Sequence, residues 1–387
     1  MTRTIAVFTG TRADYGLLRG LARAIDASPE AELALIVSGS HLSTEHGTTS
    51  GEIAQDGLSF AAEIPIWSGD DTPAGAARDL GAALPRYEEA LERIAPDVLV
   101  VLGDRLEAFG AATAATIAGI PVAHIHGGEI TEGAMDDSLR HAITKLSYLH
   151  LTSTASHRDR VIQLGEDPAR VHFLGAPVVD ALSELDLLGA EQVRERFGVR
   201  LTRPTALVTF HPAAMDLLPT AELLEELLAG LMAVEGLHVI ITGANTDIGS
   251  TAVRERIAQF VAEHPDRVDY VESFGQLGYL STMALVDVVA GNSSSTVLEA
   301  PVLGIPSVLV GDRQKGRPVS AGVRTPAPDR ASIAAALDDA LAAPRATAPA
   351  VFGEPGFARR ALRALLDADL PHPPRKAFYD LETGAHP

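Results

Sequence analysis

The sequence predicts an α/β fold built from two doubly wound, Rossmann-like parallel sheets. Short apolar runs alternate with amphipathic helical patterns through most of the chain. The runs show no alternation of polar and apolar residues, which is typical of parallel strands that are buried on both faces. With 387 residues, the chain has the length of two domains rather than one.

The predicted strands fall into two sets along the chain. The first set lies at 4–9, 33–38, 97–102, 122–125, 149–153 and 171–174. The second set lies at 206–210, 238–242, 268–271, 286–290 and 307–310. Amphipathic helices are predicted between the strands, for example at 17–26, 82–94, 136–148, 220–232 and 250–262. Glycine and proline punctuate the region near 175–204, so we expect an N-terminal domain at 1–180, a C-terminal domain at 190–365 and a poorly ordered tail at 371–387.

Composition limits the classes of partner. The formal charge of −20 argues against non-specific binding to nucleic acid or to an anionic membrane. A small anionic ligand stays compatible with this charge, because a few arginines can reverse the field inside one cleft. The absence of cysteine excludes disulfides, thiolate metal sites and a cysteine nucleophile. The N-terminal apolar run is too short for a signal peptide, and no uncharged apolar stretch reaches about 18 residues, so the sequence predicts a cytoplasmic protein.

Polar motifs follow several strands of the first set, where ligands of doubly wound sheets bind. Arg12 lies in the loop after the first strand, near a predicted helix N-terminus that would favour an anion. Asp104 and Arg105 follow the third strand and are suited to holding a substrate or transferring a proton. The alternative for the Arg12 loop is a turn followed by a capped helix. The alternative for Asp104 and Arg105 is an exposed salt bridge, which would stabilise the fold by only about 0–1 kcal/mol.

The segment 124–137 concentrates titratable groups in a glycine-rich loop. His126, Glu129 and Asp136 lie in it, and imidazoles and buried carboxylates are the usual groups for proton transfer. Asp136 and Arg140 are four residues apart on the predicted helix that follows, so they share a face. The alternative is that the acids of the first turn only complement the helix dipole. A metal held by His126, Glu129 and His141 is the least favoured interpretation.

The second set of strands carries signals for an anionic ligand. His211 follows one strand in a Phe-His-Pro turn, and Gly291–Ser295 reads Gly-Asn-Ser-Ser-Ser before a predicted helix. Backbone N–H groups, hydroxyls and a helix dipole together favour phosphate, although one serine would suffice as a simple N-cap. A basic stretch follows at 311–317, and arginine pairs well with phosphate. The candidate ligands in this half are Asn245, Asn292, Ser293, Ser294, Glu299, Arg313 and Arg317.

Three common motifs are missing from the sequence. It contains no GxxxxGK[ST] phosphate loop, no GxGxxG after the first strand and no GxSxG elbow. A bound NAD is therefore disfavoured, and we expect neither a cofactor nor a metal.

Taken in order, the motifs resemble those of one family. They are similar to motifs of the hydrolysing UDP-N-acetylglucosamine 2-epimerases of bacterial sialic-acid and legionaminic-acid pathways. The motifs are GTRADYG, GSHL, GDR, HIHGGEITEGAMDDSLRHAITKLS, FHP, GNSSS with EAP, and GDRQKGR. The resemblance spans about residues 4–320. It implies a glycosyltransferase-B architecture, with a UDP-sugar in the interdomain cleft, the nucleotide on the C-terminal domain and a C-terminal helix that packs on the N-terminal domain.

The resemblance also implies roles for individual residues. Asp104 and Asp136 match acids that act in proton transfer, and His211 matches an active-site histidine. Where some relatives carry glutamate, this chain has His126, so His126 or the nearby Glu129 would fill that role. The remaining matched positions are the diphosphate-binding Ser293 and Ser294, the ribose-binding Glu299, and Arg12, Arg105 and Arg313 near the diphosphate.

The expected activity is a hydrolysing 2-epimerase that releases UDP and a free manno-configured sugar. The substrate would be UDP-N-acetylglucosamine or a UDP-2,4-diacetamido-2,4,6-trideoxyhexose, and the enzyme would form a homodimer or homotetramer. The alternatives are a non-hydrolysing 2-epimerase, a glycosyltransferase of the same fold, and a non-catalytic UDP-sugar binder, since fold alone does not determine function.

Overall fold

The computed structural model describes residues 2–42, 53–54, 56–66, 72–130, 135–183, 185–212, 218–243, 250–345 and 351–381, with backbone only at 12, 13, 40, 73 and 250. The chain divides into two compact units. The first comprises Met1–Ala181 together with Phe352–Pro387, and the second comprises Leu182–Val351.

The first unit contains a seven-stranded sheet in the order β3-β2-β1-β4-β5-β6-β7, and every pairing in it is parallel. The strands are β1 (Arg3–Thr9), β2 (Ala31–Ser38), β3 (Phe60–Ile64), β4 (Val98–Leu102), β5 (Val122–Ile125), β6 (Leu149–Thr152) and β7 (Val171–Phe173). The helices are α1 (Arg12–Asp26), α2 (Pro73–Ile94), α3 (Leu106–Ile117), α4 (Met135–Leu146), α5 (Ala155–Gln163) and α6 (Pro177–Ser183).

Strand β1 shows why the apolar runs lack alternation. Ile5 and Val7 face one side of the sheet and pack in a core with Leu18 of α1. Ala6 and Phe8 face the other side and pack in a separate core with helices α2 and α3. Both faces of the strand are covered, so every position is apolar.

The second unit contains a six-stranded sheet in the order β10-β9-β8-β11-β12-β13, again with parallel pairings. Its strands are β8 (Thr205–Thr209), β9 (His238–Thr242), β10 (Val268–Val271), β11 (Val288–Gly291), β12 (Ser307–Leu309) and β13 (Val323–Arg324). Its helices are α7 (Ala190–Phe197), α8 (Thr220–Ala233), α9 (Ser250–Glu263), α10 (Gly275–Leu285), α11 (Glu299–Val302) and α12 (Arg330–Ala342).

The predicted fold class of two doubly wound parallel sheets is confirmed. Two strands, β3 and β13, are absent from the prediction. Each lies at the edge of its sheet, and β13 has two residues, so neither leaves the long apolar run that marks a central strand. Helix α2 also begins well before the predicted 82–94 segment, because Thr72 caps it by accepting a bond from Gly75 N at 3.1 Å.

The C-terminal segment belongs to the first unit. Helix α13 (Phe357–Asp367) packs its Phe357 and Leu365 into the core beside α1, and Asp180 accepts hydrogen bonds from three backbone N–H groups at its start. Residues 352–365, which the sequence-based division assigned to the C-terminal domain, therefore lie in the first unit; the second ends at Val351.

The expectation of a poorly ordered tail is wrong for residues 371–381. Lys376 Nζ lies 2.9 Å from both carboxylate oxygens of the buried Glu166, and Tyr379 N donates to Gly165 O at 2.9 Å. The Phe378 ring covers Gly165 closely enough that a Cβ there would lie 2.3 Å from it. A buried carboxylate needs a charged partner, and the tail provides one.

Within the described ranges, no helix combines the length and the apolar character that crossing a bilayer requires.

Both sheets reverse their strand order at the first strand. Strand β1 lies between β2 and β4, and β8 lies between β9 and β11. The crevice outside the carboxyl ends of the strands at such a reversal is where open α/β sheets bind ligands. We therefore expect a ligand-binding site among the residues that follow β1, β4, β8 and β11.

Candidate active site

In the first unit, an ion pair sits at the carboxyl end of β4. Asp104 follows this strand, and Arg140 comes from the second turn of α4 and donates from Nη2 to Asp104 Oδ2. The Arg140 side chain is only 5% exposed, whereas that of Asp104 is 21% exposed. A buried guanidinium thus orients a carboxylate that remains accessible, which is a suitable arrangement for a group that must meet a substrate.

Further carboxyl groups surround this pair. Partial burial and the neighbouring Asp104 raise the pKa of Asp136 above its ordinary value, and Arg105 and Arg140 oppose that rise. Burial raises the pKa of Asp14 to about 6, although Arg105 lowers it. Asp136 beside Asp104 and Asp14 near Arg105 thus ionise less readily than exposed aspartates, so this edge can both accept and return protons.

Arg105 itself is held by a carboxylate of its own helix. Its Nε lies 3.4 Å from Glu107 Oε2, and the Arg105 side chain is half exposed. Arg105 therefore reaches the same edge as Asp104. The backbone of Arg12 begins helix α1, and its side chain lies outside what the structure describes.

The loop after β5 turns sharply. His126 has a φ of +66°, in the left-handed region that few residues other than glycine adopt. A Cβ on Gly127 would lie 3.0 Å from the His124 ring, and one on Gly128, whose φ is +79°, would lie 2.3 Å from His157 O. The His-Gly-Gly-Glu sequence is therefore needed for this loop to lie directly against helix α5.

His124 is a structural histidine. It is fully buried; its Nε2 lies 2.7 Å from Gly103 O and its Nδ1 lies 3.2 Å from Thr144 Oγ1. Burial lowers the pKa of His124 to about 3, so the ring is neutral and Nε2 carries the proton. The ring ties the start of the Asp104 loop to β5 and α4.

Glu129 lies at the centre of a small network. Its Oε1 is 3.3 Å from His126 Nδ1 and accepts a hydrogen bond from Ser153 Oγ at 2.7 Å, and Ser153 Oγ lies 2.9 Å from His157 Nδ1. Burial alone would raise the pKa of Glu129, but His126, His157, Arg140 and the Ser153 hydrogen bond together lower it to about 2. Glu129 is therefore a carboxylate at neutral pH.

In the second unit, Asn292 connects two loops. Its Oδ1 accepts from His211 N at 2.8 Å, and its Nδ2 donates to His211 O at 2.8 Å. The Asn292 side chain is fully buried, so it holds the Phe-His-Pro turn in place rather than facing a ligand. Gly291 makes this approach possible, because a Cβ there would lie 2.0 Å from Thr209 O.

A chain of hydroxyl groups runs behind the serine turn. Thr242 Oγ1 donates to Thr209 Oγ1 at 2.9 Å, and Tyr279 Oη lies 3.0 Å from that same Thr209 oxygen. Tyr279 Oη also lies 2.7 Å from Ser295 Oγ, which donates to Ser293 Oγ at 3.1 Å. Each hydroxyl has one proton to donate, so the Ser293 proton remains available to an acceptor outside the chain.

The other predicted ligands of this unit lie around the same turn. Ser294 begins the short 3-10 turn Ser294–Thr296 and is half buried. Arg313 Nη1 donates to Asn292 O at 3.4 Å. Burial raises the pKa of Glu299, against the nearby charge of Arg317, and Glu299 Oε2 is buried with no hydrogen-bond partner among the described residues. Asn245 lies outside the described residues.

The metal site considered for His126, Glu129 and His141 is not found among the described residues. His141 Nε2 lies 3.5 Å from Asp137 Oδ2, one turn away on its own helix. In the parts of the chain that the structure describes, no three histidine, aspartate or glutamate side chains group as metal ligands.

Several residues of these networks were not predicted from the sequence. They are Ser153 and His157 beside Glu129, and Thr209, Thr242, Tyr279 and Ser295 behind Ser293. Ser153 ends a predicted strand, which was a usable signal. Tyr279 lies inside a helix remote from any motif and had none.

Sequence comparison places these features in a known group. The sequence model described as UDP-N-acetylglucosamine 2-epimerase matches residues 23–366. The chain is 32% identical over 315 residues to the hydrolysing GDP/UDP-N,N'-diacetylbacillosamine 2-epimerase of Campylobacter jejuni, covering 81% of this chain and 82% of the relative. It is 33% identical over 317 residues to the hydrolysing UDP-N,N'-diacetylbacillosamine 2-epimerase of Legionella pneumophila, covering 82% and 83% of the two chains.

Solved structures agree with the fold. The UDP-GlcNAc 2-epimerase of Neisseria meningitidis, bound to UDP-GlcNAc, superposes with a TM-score of 0.75 at 17% identity, over 95% of this chain and all of the other. The enzyme of Methanocaldococcus jannaschii gives a TM-score of 0.74 at 18% identity, over 94% and 99% of the two chains. The family predicted from the motifs is confirmed, and the chain belongs to the UDP-N-acetylglucosamine 2-epimerase family.

Proposed function

We propose that this protein is a hydrolysing 2-epimerase that converts a UDP-linked 2-acetamido sugar into UDP and the free manno-configured sugar. The observation that carries the proposal is the acid cluster after β4: Asp104 is oriented by the buried Arg140 and lies beside Asp136, whose pKa is raised. Such a pair of unlike acids suits a reaction that removes a proton and later returns one.

The substrate chemistry explains why both halves of the sequence carry polar motifs. The C2 proton of a 2-acetamido sugar is not next to a carbonyl, so it leaves only as the C1–O bond to UDP breaks. The electrons of the C2–H bond form the C1–C2 double bond, and those of the C1–O bond leave with the diphosphate. Water then adds its oxygen to C1 while a proton is delivered to C2 from the opposite face, which gives the free sugar.

The second unit has the groups that a leaving diphosphate and a ribose require. The Ser293 hydroxyl, the backbone of the serine turn, Arg313 and Arg317 would stabilise the charge that develops on the diphosphate. The buried Oε2 of Glu299, which has no hydrogen-bond partner within the described part of the chain, would accept a hydrogen bond from a ribose hydroxyl. His211, held by Asn292, would lie at the same loop cluster.

The relatives named above support a particular substrate. The Campylobacter and Legionella proteins are hydrolysing 2-epimerases of nucleotide-linked N,N'-diacetylbacillosamine. We therefore place UDP-2,4-diacetamido-2,4,6-trideoxyglucose ahead of UDP-N-acetylglucosamine as the substrate.

Incubation of the purified protein with each UDP-sugar in D₂O tests the proposal. We expect UDP and a free manno sugar with one deuterium at C2, and faster turnover of the diacetamido substrate. Asp104→Asn should slow release by about 10³-fold, whereas Ile117→Ser, at a position 74% exposed at the far end of α3, should leave it unchanged. An epimerised UDP-sugar without free sugar would indicate a non-hydrolysing enzyme, a requirement for an acceptor would indicate a glycosyltransferase, and no UDP from either substrate would refute the proposal.

A further inference from the structure

The loop after β5 and the first turn of α5 form a hydrogen-bonded line that the chemistry proposed above has not used. The line runs from His157 through Ser153 to Glu129, and His126 Nδ1 lies 3.3 Å from its end, at Glu129 Oε1. It is built by glycine: Gly128 packs against the His157 backbone with no room for a Cβ. This contact brings the Glu129 carboxylate within reach of Ser153.

The positions of the protons along this line can be assigned in order. Burial lowers the pKa of His157 to about 4, so its ring is neutral near pH 7. Ser153 has one proton and donates it to Glu129, which as a carboxylate can only accept. His157 Nδ1 must then donate to the Ser153 oxygen, 2.9 Å away.

The same reasoning extends to His126. Glu129 accepts on its Oε1 from Ser153 and faces His126 Nδ1 at 3.3 Å, and a carboxylate at this distance favours the tautomer with the proton on Nδ1. In a neutral imidazole the other nitrogen, Nε2, then has a free lone pair. His126 Nε2 is buried and has no hydrogen-bond partner among the described residues, although 16% of the side chain stays exposed.

An unsatisfied buried nitrogen and a non-glycine residue at positive φ are both costly, and such features persist mainly at functional sites. The loop could close without either feature, because a glycine at position 126 would adopt this φ without strain and would bring no imidazole nitrogen. A partner supplied by the substrate accounts for both. The arrangement is that of an imidazole base oriented by a carboxylate.

We propose that Glu129, Ser153 and His157 are positioning residues that hold His126 with Nδ1 protonated, so that His126 Nε2 accepts the C2 proton of the sugar during elimination of UDP. This inference rests on the proposed function. In the step, Nε2 takes the proton, the C2–H electrons form the C1–C2 double bond, and UDP leaves with the C1–O electrons. The imidazolium that forms is stabilised by Glu129 and loses its proton to solvent before the next turnover.

Asp136 completes the assignment. Inversion at C2 takes a proton from one face of the sugar and returns one to the other face. The reaction therefore needs one group that starts unprotonated and another that starts protonated. Asp136 lies beside Asp104, and partial burial together with that neighbour raises its pKa, so this carboxyl group holds a proton more tightly than an exposed aspartate does and is suited to returning one. Asp104 accepts the proton of the water that adds to C1 and passes it to the neighbouring Asp136, which restores the starting state.

The charge environment of His126 comes from four neighbouring elements. Glu129 favours the imidazolium, and positive charge on nearby groups opposes it. The titratable groups that act here are Glu129 in the loop, His124 on β5, Arg140 on α4, and His157 and Arg160 on α5. Glu129→Gln therefore removes the negative charge that lies 3.3 Å from the His126 ring.

A kinetic experiment on the full chain with the UDP-sugar tests this prediction. Glu129→Gln should lower kcat by about 10²–10³-fold and move the acidic limb of the kcat/KM profile down by about one pH unit. Ser153→Ala should lower kcat about tenfold with little change in KM. Asp159→Asn, a 75% exposed position on the same helix, is the matched control and should change neither. A loss of activity in Glu129→Gln with an unmoved acidic limb would overturn the proposal.

A second experiment needs no substrate and so separates this inference from the proposed function. Imidazole nitrogen NMR reports which ring nitrogen carries the proton, and the His126→Gln spectrum identifies the His126 signals. We expect a protonated Nδ1 and a bare Nε2 in the native chain, and a mixture of tautomers in Ser153→Ala. A protonated Nε2 in the native chain would overturn the inference even if UDP is released as proposed.

Discussion

The carboxyl edges of the two sheets have the same topology and different chemistry. At the first edge, charged groups and imidazoles oppose one another: Asp104 with Arg140, and Glu129 with His126. At the second edge, most of the described contacts join neutral groups, namely the Asn292 amide with a backbone turn and the line of hydroxyls ending at Ser293, although Arg313 also donates to Asn292 O. Among the described residues of these two sites, contacts between carboxylates and imidazoles or arginines thus lie at the first edge, and the second edge adds the buried Glu299, whose pKa is raised.

This difference has a physical consequence. Ion pairs and neighbouring acids shift pKa values, as proton transfer requires. Neutral donors with fixed geometry do not titrate near neutral pH, and they hold a charged ligand without reorganising. A duplicated architecture can therefore divide a reaction into proton chemistry in one unit and anion stabilisation in the other, through the residues that follow each strand.

The sharpest test of this division is Asp104→Asn. The amide keeps the shape but cannot take part in proton transfer, so kcat should fall by about 10³-fold. The affinity for UDP, measured by calorimetry, should stay within about twofold, because the variant leaves the second unit unchanged. A large loss of UDP affinity would show that the two roles are not separated.

The next test removes the Asn292 side chain, which connects two loops of the second unit. Asn292→Ala removes two hydrogen bonds that the buried Asn292 side chain makes to the partly buried backbone of His211, which should cost about 2–3 kcal/mol of unfolding free energy. Urea denaturation followed by circular dichroism measures this change. Unchanged stability together with weaker UDP binding would contradict a positioning role and would instead make Asn292 a direct ligand.

A smaller effect is expected from Tyr279→Phe. The change removes one hydroxyl from the line behind Ser293, which should weaken UDP binding by about 3–10-fold through the loss of about 1 kcal/mol. Tyr270→Phe, at an exposed tyrosine on β10, is the matched control and should bind UDP normally. Equal affinities in the two variants would mean that the line does not orient Ser293.

The last test concerns the pH dependence of stability that Asp14 causes in the first unit. Its pKa of about 6 in the folded protein exceeds the ordinary value of 3.8, so the native state holds the proton more tightly than the unfolded chain does. Stability should therefore fall by about 2 kcal/mol between about pH 4 and pH 6 on account of this group, and then level off.

Asp14→Asn should remove that dependence. The variant should gain stability relative to the native chain at pH 7.5 compared with pH 4, as measured by the difference between their thermal midpoints at the two pH values. A difference that is constant with pH would mean that Asp14 ionises as readily as an exposed aspartate.

The sequence by itself determined the two parallel sheets and the loops that carry polar side chains. Both are local properties. A strand buried on both faces must be apolar at every position, as in β1, and polar residues after such a strand must lie at the carboxyl edge. The grouping of Asp104, Asp136 and Arg140 followed from these two facts and from helical spacing.

Only the tertiary structure decided which residues from distant parts of the chain contact these polar loops. Ser153 and His157 reach Glu129 because Gly128 lets two segments touch, and Asn292 holds a turn 81 residues away. Helix α13 and the following tail join the first unit partly because backbone N–H groups at the start of the helix bind Asp180 and Lys376 of the tail pairs with Glu166. Such contacts depend on packing between segments far apart in the chain, which periodicity and short motifs do not encode.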